Sequence, residues 1–203
     1  FISTLILMTS VEFVVFSKIS LLDMVLAANI TLAVCSGLLT YFVREENKKY
    51  FWWLFYIFSG FGILAKGIPA VVIPWGMMFF VGLWKKNLRE FFKKEYFGIG
   101  IILFLLIALP WHIAMYKAHG FEFIKEYIIK HHFYRFIGSS EIGRMHSPLY
   151  YIPTFLVGFA PWSFIFFFSL PKMAKEKQHD FIVMNLVGLV FGFLFFHLQG
   201  QNL

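Results

Sequence analysis

The stretch FGIGIILFLLIALPWHIAMYKA, residues 97–118, decides the fold class. It contains a single charged side chain, Lys117. A transmembrane α-helix needs about 20 consecutive apolar residues to cross a hydrocarbon core about 30 Å thick. The sequence therefore predicts an all-α integral membrane protein, a polytopic bundle of about seven transmembrane segments. The other segments lie at about residues 1–16, 24–43, 51–65, 68–84, 148–170 and 181–198.

The composition of the whole chain agrees with this class. Hydrophobic residues make up 60% of the chain, whereas an ordinary soluble domain has about 45–50%. The net charge of +7 would suggest nucleic acid in a soluble protein, but in a membrane protein such an excess reports topology. We therefore exclude nucleic acid as a partner. Cys35 is the single cysteine, so an internal disulfide framework is also excluded.

Basic residues concentrate in three hydrophilic joints between the apolar segments. Residues 44–49, 85–95 and 171–180 together carry 11 of the 18 lysines and arginines. Loops rich in Lys and Arg stay on the cytoplasmic side of a membrane. Threading seven segments through cytoplasmic joints puts Asp23, Lys66 and the 119–147 loop on the outer side.

The chain begins at Phe1, without an initiating methionine or a signal peptide, and stops directly after an apolar run. We expect residues 1–203 to be the central part of one transmembrane domain, with the N- and C-terminal parts of the protein missing.

The outer loop contains a stretch, FEFIKEYIIKHHFYRF (121–136), that predicts an amphipathic helix on the membrane surface. Its apolar face, which includes Ile124 and Ile128, continues into His132 and Arg135 at 100° per residue. Cations on a face that otherwise contacts membrane or protein could bind an anionic ligand at head-group depth. They could equally favour a helix C-terminus or extend towards lipid phosphates. Both explanations remain open at this point.

Asp23 and Lys66 are candidate functional residues because each lies at the edge of a predicted apolar helix. Ionisable groups there are costly and usually functional. The alternative for Asp23 is a structural one, because Asp is favoured at helix N-termini.

Five stretches of the chain carry a resemblance to a known family. They are, in order, LLDMVLAA (21–28), GILAKGIPAVVIP (62–74), ALPWHIAM (108–115), HHFYRF (131–136) and HSPLYYIPTFLVGFAPW (146–162). Together they resemble the central part of bacterial membrane glycosyltransferases related to protein O-mannosyltransferases and to the aminoarabinose transferase of lipid A. The similarity spans nearly the whole chain. It implies the GT-C fold and transfer of a sugar from a polyprenyl phosphate carrier, with inversion at the anomeric carbon.

The resemblance implies roles for individual residues. Asp23 takes the family's acidic position and is the candidate catalytic carboxylate. The family's main acidic motif lies upstream of Phe1, so the main catalytic carboxylate is expected there. Six residues match positions expected to bind the substrate and its phosphate: Lys66, His132, Arg135, His146, Tyr150 and Tyr151.

A divalent metal cation is compatible with these residue types, and Asp23 and His132 are weak candidate ligands. The position before His132, often Glu in such sequences, is His131. This departure weakens a carboxylate–histidine metal pair at that point, and the identity of any metal is not predicted.

The sequence thus predicts a polyprenyl-phosphate-sugar-dependent glycosyltransferase of the bacterial plasma membrane, with its active site on the outer side. Its partners would be the lipid-linked sugar donor, membrane lipids and an acceptor that is a lipid, a glycan or a protein. The alternative is a transporter or flippase of a lipid-linked substrate. A transporter should carry polar groups near the bilayer midplane, whereas the charges here gather at one surface, which favours the enzyme.

Overall fold

A computed structural model of the chain describes residues 2–19, 22–127, 151–173 and 179–201. These residues form helices and turns, and no strand occurs among them. The predicted all-α class is confirmed. The helices are α1 (Ile2–Thr9), α2 (Val11–Lys18), α3 (Leu22–Leu39), α4 (Glu45–Lys66), α5 (Pro69–Trp84), α6 (Leu88–Phe91), α7 (Lys94–His119), α8 (Phe121–Phe123), α9 (Tyr151–Gly158), α10 (Trp162–Met173) and α11 (His179–Gln201).

Two of the described helices, α3 and α7, are long and apolar enough to cross a membrane. The α9 and α10 pair makes a third span if it is counted as one broken segment. Helix α4 has 22 residues and a length of about 33 Å, but its first turns carry the charges of the 44–49 joint. The count of seven membrane segments stays a prediction.

The structure corrects the first predicted segment, 1–16, which is broken into α1 and α2 at Ser10. Each helix has eight residues and is therefore about 12 Å long, too short to span a bilayer. The hydroxyl of Ser10 donates to the carbonyl of Ile6 at 2.7 Å, and that of Thr9 donates to Leu5 at 2.6 Å. Such bonds to the preceding turn bend helices, and Ser10 itself has an extended backbone.

The predicted segment 148–170 is also not a single straight helix. Its described part consists of α9 and α10, whose apolar portions meet at an angle of 112°. The break includes Pro161, which lacks a backbone N–H and disfavours a helical conformation of the residue before it. A run of apolar residues predicts burial in membrane or protein, but it does not reveal such a bend.

The chain divides into two compact units, one formed by Phe1–Met24 and Gly138–Leu203 and the other by Val25–Ile137. In the first unit, α2 packs on α9 and on the turn that follows it. The N–H of Val11 donates to the carbonyl of Ala160 at 3.1 Å. The indole N–H of Trp162 donates to Thr9 Oγ1 at 2.8 Å.

The second unit is built around α4, which packs against α5 and α7. Its core is a cluster of edge-to-face aromatic rings, the arrangement that ring quadrupoles favour. Tyr56 is fully buried and lies 5.2 Å from Phe55, 5.3 Å from Trp75 and 6.2 Å from Phe97, between ring centroids. Phe91 of α6 lies 5.4 Å from Trp52. The short helix between α5 and α7 is therefore attached to the core of this unit.

The predicted surface helix, 121–136, is described only to residue 127. Residues 121–123 are helical, but residues 124–127 adopt a wider π-helical turn. The expectation of a regular α-helix is wrong for these four residues, so the 100° spacing does not apply to them. The remainder of the predicted helix lies outside the described residues.

Candidate functional site

Lys66 is the last residue of α4, and the turn after it lies between the predicted segments 51–65 and 68–84. Gly67 has φ 84° and ψ −143°, and its N–H donates to the carbonyl of Ile63 at 2.9 Å. A positive φ is accessible to glycine at little cost because it lacks a Cβ. The Lys66 side chain is exposed. Its position at a helix C-terminus favours a positive charge, so the turn presents an exposed cation.

Close contacts between helices fix this turn in place. A Cβ added at Gly62 would lie 2.7 Å from the Cβ of Ala70 and 3.4 Å from the Cβ of Asn29. Three helices, α3, α4 and α5, therefore meet one turn before Lys66, at van der Waals distance. The Asn29 amide donates to the carbonyl of Val25 at 2.8 Å, so this polar side chain is satisfied within its own helix.

This packing can be tested by a double-mutant cycle. We expect Gly62→Ala to lower the free energy of unfolding by about 1–3 kcal/mol, because its new methyl group overlaps that of Ala70. Ala70→Gly removes the obstructing methyl, so the double variant should recover a large part of the loss. Thermal unfolding of the full-length protein in detergent micelles measures the coupling. Additive effects of the two substitutions would show that the helices are not in contact here.

Asp23 lies in the first turn of α3, and its side chain is exposed. A carboxylate in the first turn of a helix interacts favourably with the helix dipole. Asp23 is therefore placed where it can stabilise the N-terminus of α3, which is the structural alternative considered from the sequence. Its catalytic role stays a prediction. Asp23 belongs to the first unit and Lys66 to the second.

The other predicted substrate-binding residues lie outside the described structure or at its edge. Tyr151 is the first residue of α9, which agrees with its place at the start of a predicted membrane segment. The four residues outside the described part are His132, Arg135, His146 and Tyr150. Their assigned roles stay predictions.

An aromatic cluster that the sequence did not predict lies where the chain leaves α7, at the start of the predicted outer loop. Trp111 contacts the rings of Phe123 and Tyr127, each with 5.8 Å between ring centroids. Phe123 and Tyr127 stack on each other at 5.1 Å. Burial raises the pKa of the Tyr127 phenol, so this side chain stays neutral at physiological pH. The cluster fixes the direction in which the loop leaves the helix.

His112 belongs to the same cluster, 4.8 Å from Trp111 and 5.6 Å from Tyr127 between ring centroids. Its Nδ1 is 2.8 Å from the carbonyl oxygen of Ala108. A carbonyl can only accept, so Nδ1 carries the proton, and in the neutral ring Nε2 has the lone pair. The resemblance covered ALPWHIAM, but without assigning His112 a role.

Glu12 is a second residue that the sequence analysis did not select. It lies in the first turn of α2, and its carboxylate contacts Gly158 so closely that no Cβ fits there. An ionisable side chain inside an apolar segment is a recognised functional signal. That signal was present in the 1–16 segment and could have identified Glu12.

Binding of a divalent metal by Asp23 and His132 stays a prediction. Within residues 2–19, 22–127, 151–173 and 179–201, no three His, Cys, Asp or Glu side chains lie close enough together to bind a metal ion. One of the two candidate ligands, His132, is outside these ranges.

Comparison with known proteins identifies relatives of the chain. The family described as dolichyl-phosphate-mannose-protein mannosyltransferase matches residues 1–122. An uncharacterized protein of Aquifex aeolicus is 31% identical over 161 residues, which cover 77% of this chain and 29% of that protein. No solved structure matches the chain.

Two further relatives have names that state an activity. The undecaprenyl phosphate-alpha-4-amino-4-deoxy-L-arabinose arabinosyl transferase 1 of Pseudomonas fluorescens is 28% identical, over 71% of this chain and 26% of its own length. The corresponding transferase of Wigglesworthia glossinidia brevipalpis is 29% identical, over 71% of this chain and 25% of its own. The chain thus spans less than a third of the length of these relatives.

Proposed function

The chain belongs to the dolichyl-phosphate-mannose-protein mannosyltransferase family, and from this premise we propose that the full-length protein is a membrane glycosyltransferase. Its donor would be a sugar linked to a polyprenyl phosphate. Relatives named as undecaprenyl phosphate aminoarabinose transferases support this donor class. The α3 and α7 helices, which are apolar and long enough to span a bilayer, suit a substrate whose tail stays in the membrane.

The observation that carries the proposal is the position of Lys66. Its ammonium group follows the apolar part of α4, residues 51–65, at a turn shaped by Gly67 and by the contact of Gly62 with Ala70. A polyprenyl phosphate keeps its charge at the membrane interface, where we expect this turn to lie. A positive charge at that position would stabilise the negative charge that develops on the departing phosphate.

The proposed chemistry is displacement at the anomeric carbon of the donor. A nucleophilic oxygen of the acceptor forms the new glycosidic bond, and the bond between the sugar and the phosphate oxygen breaks. The polyprenyl phosphate leaves with the electron pair. If the acceptor is a hydroxyl group, its proton passes to a general base, and if the acceptor is a phosphate, no base is required. Asp23 and the carboxylate expected upstream of Phe1 are the candidate bases.

Arg135 and His132 would complete the phosphate site with Lys66. Arginine presents two parallel N–H donors that match a phosphate, while lysine supplies a point charge. We place this site on the outer face of the plasma membrane, because the basic joints predict the opposite ends of the helices to be cytoplasmic. His146, Tyr150 and Tyr151 are proposed to contact the donor. The displacement balances in atoms and charge without a divalent metal.

Arg135→Lys tests the phosphate site. We expect donor turnover by the full-length enzyme to fall at least tenfold, because lysine keeps the charge but loses the planar pair of donors. The measurement is release of polyprenyl phosphate from a polyprenyl-phosphate sugar in nanodiscs, with membrane insertion and thermal unfolding followed in parallel.

The matched control is Lys125→Arg, which exchanges the same two residue types in the opposite direction. Lys125 is exposed in the same loop, and its variant should leave turnover unchanged. Normal turnover by the Arg135→Lys variant would show that this residue only anchors the loop to lipid head groups. No turnover of any polyprenyl-phosphate sugar by the unmodified protein would contradict the proposed function itself.

A further inference from the structure

The end of α5 contains an unusual backbone conformation. The N–H of Asn87 donates to the carbonyl of Gly82 at 2.9 Å, and the N–H of Lys86 donates to that of Leu83 at 3.0 Å. This pattern closes a helix with a left-handed residue, which is usually glycine. Here the residue is Lys86, with φ 54°, the only non-glycine residue with a positive φ in the described part of the chain. Lys86 thus occupies a position at which glycine would be less strained. Strained backbone positions of this kind are often functional.

The adjacent helix α6 is held firmly against the rest of its unit. The Nζ of Lys48 lies 2.6 Å from a carboxylate oxygen of Glu90, and both side chains are only 12% exposed. The amide of Asn87 donates to the other oxygen of Glu90. Phe91 is buried in the aromatic core. Lys48 also pairs with Glu45 at 2.6 Å, so this one ammonium group is shared between two carboxylates.

The exposed cations of this region line a surface cavity of about 440 Å³. Its lining includes Lys86 and Arg89 together with the apolar side chains of Leu83 and Leu88. The ammonium group of Lys85, by contrast, lies over the Trp84 ring, 4.7 Å from the centroid. Arg89 also borders a smaller cavity, which is lined by Glu45, Glu90 and Lys93 as well. The larger cavity therefore combines two cations with apolar side chains and has no carboxylate among the described residues that line it.

The surface of α5 next to this cavity is apolar and exposed. Phe79, Phe80 and Leu83, in the last turns of α5, are 40%, 45% and 45% exposed. Exposed apolar side chains on an apolar helix of a membrane protein suit contact with acyl chains, and Lys86 and Arg89 follow them in the sequence. The predicted cytoplasmic side is also where anionic lipids attract basic segments.

We propose that Lys86 and Arg89 bind the phosphate of an anionic phospholipid whose acyl chains lie along Phe80 and Leu83. The lysine at the left-handed position supplies the head-group contact, which accounts for its presence in place of glycine. The inference depends on the membrane placement of α5 and is independent of the glycosyltransferase reaction at the opposite end of the helices.

Lys86→Gly separates binding from stability, because the two should change in opposite directions. In nanodiscs of phosphatidylcholine alone, the full-length variant should unfold at a higher temperature than the unmodified protein, since glycine relieves the left-handed strain. Its affinity for phosphatidylglycerol, measured by native mass spectrometry, should fall at least tenfold, because the variant loses a charge-assisted hydrogen bond to the head-group phosphate. Arg89→Gln should lower the same affinity by at least as much.

Lys94→Gln is the matched control, because Lys94 is exposed in the same basic joint but does not line the cavity. Its affinity for phosphatidylglycerol should stay within twofold of the unmodified protein. Equal losses for Lys94→Gln and Lys86→Gly would overturn the proposal in favour of a diffuse attraction to negative charge. Unchanged affinity in the Lys86→Gly variant would also overturn it.

Discussion

Replacing Lys66 by glutamine is expected to lower the turnover of the full-length protein in the proposed transfer reaction by about 100- to 1,000-fold, the effect of removing one group that stabilises developing charge. Glutamine keeps most of the length of the side chain and a hydrogen-bond donor, but loses the positive charge. The residues beside Lys66 in the turn, Ala65, Gly67 and Ile68, carry no charge that could replace it. The rate of polyprenyl phosphate release under saturating donor measures the effect.

A separate measurement distinguishes catalysis from folding. Lys66 also interacts favourably with the C-terminal end of the α4 dipole, a contribution of about 0.3–1 kcal/mol to stability. Thermal unfolding should therefore change by only a few degrees. Lys117→Gln is the matched control, because Lys117 is an exposed lysine in the last turn of α7. Turnover by the Lys66→Gln variant at the level of this control would remove Lys66 from the mechanism.

Elements with a strong local cause were predictable from the sequence. The apolar run 97–118 has too few charges to be anything but a buried or membrane helix, and it forms most of α7. The turn after Lys66 was predictable because Gly67 provides the positive φ and Pro69 begins the next helix. In both cases the determining residues are adjacent in the chain.

Interruptions within apolar segments were not predictable by the same reasoning. Ser10 and Pro161 divide segments that hydrophobicity alone treats as continuous. A serine or a proline can also be accommodated within a membrane helix, where neighbouring groups satisfy the backbone. Which outcome occurs depends on partners distant in sequence, such as the bond from Trp162 to Thr9.

The candidate site shows the same division between local and distant causes. Lys66 was found from its own position at a helix edge. The contacts next to its turn involve Gly62, Ala70 and Asn29 and join three helices. The residue pattern of a single helix cannot predict contacts of this kind. The cluster of Trp111, His112 and Tyr127 likewise depends on the chain turning back on itself after Gly120.

Two glycines of α7 should respond very differently to the same substitution. Gly100 lies against the ring of Tyr56, so a Cβ at this position would overlap the ring. Tyr56 has no room to withdraw, because Phe55, Trp75 and Phe97 surround it edge-to-face. We expect Gly100→Ala to lower the free energy of unfolding by about 3 kcal/mol, at the upper end of the usual cost of overpacking.

Gly98→Ala provides the comparison, two residues earlier in the same helix. A Cβ at Gly98 has no atom within 4 Å, and alanine is the better helix former by about 1 kcal/mol. This variant should therefore be as stable as the unmodified protein or slightly more stable, as measured by thermal unfolding of the full-length protein in micelles. Equal stability of the two variants would show that α7 does not pack on α4 through Gly100. Since α4 ends in Lys66, a loosened α4–α7 contact should also reduce donor turnover, which would connect the packing of this unit to the proposed site at its end.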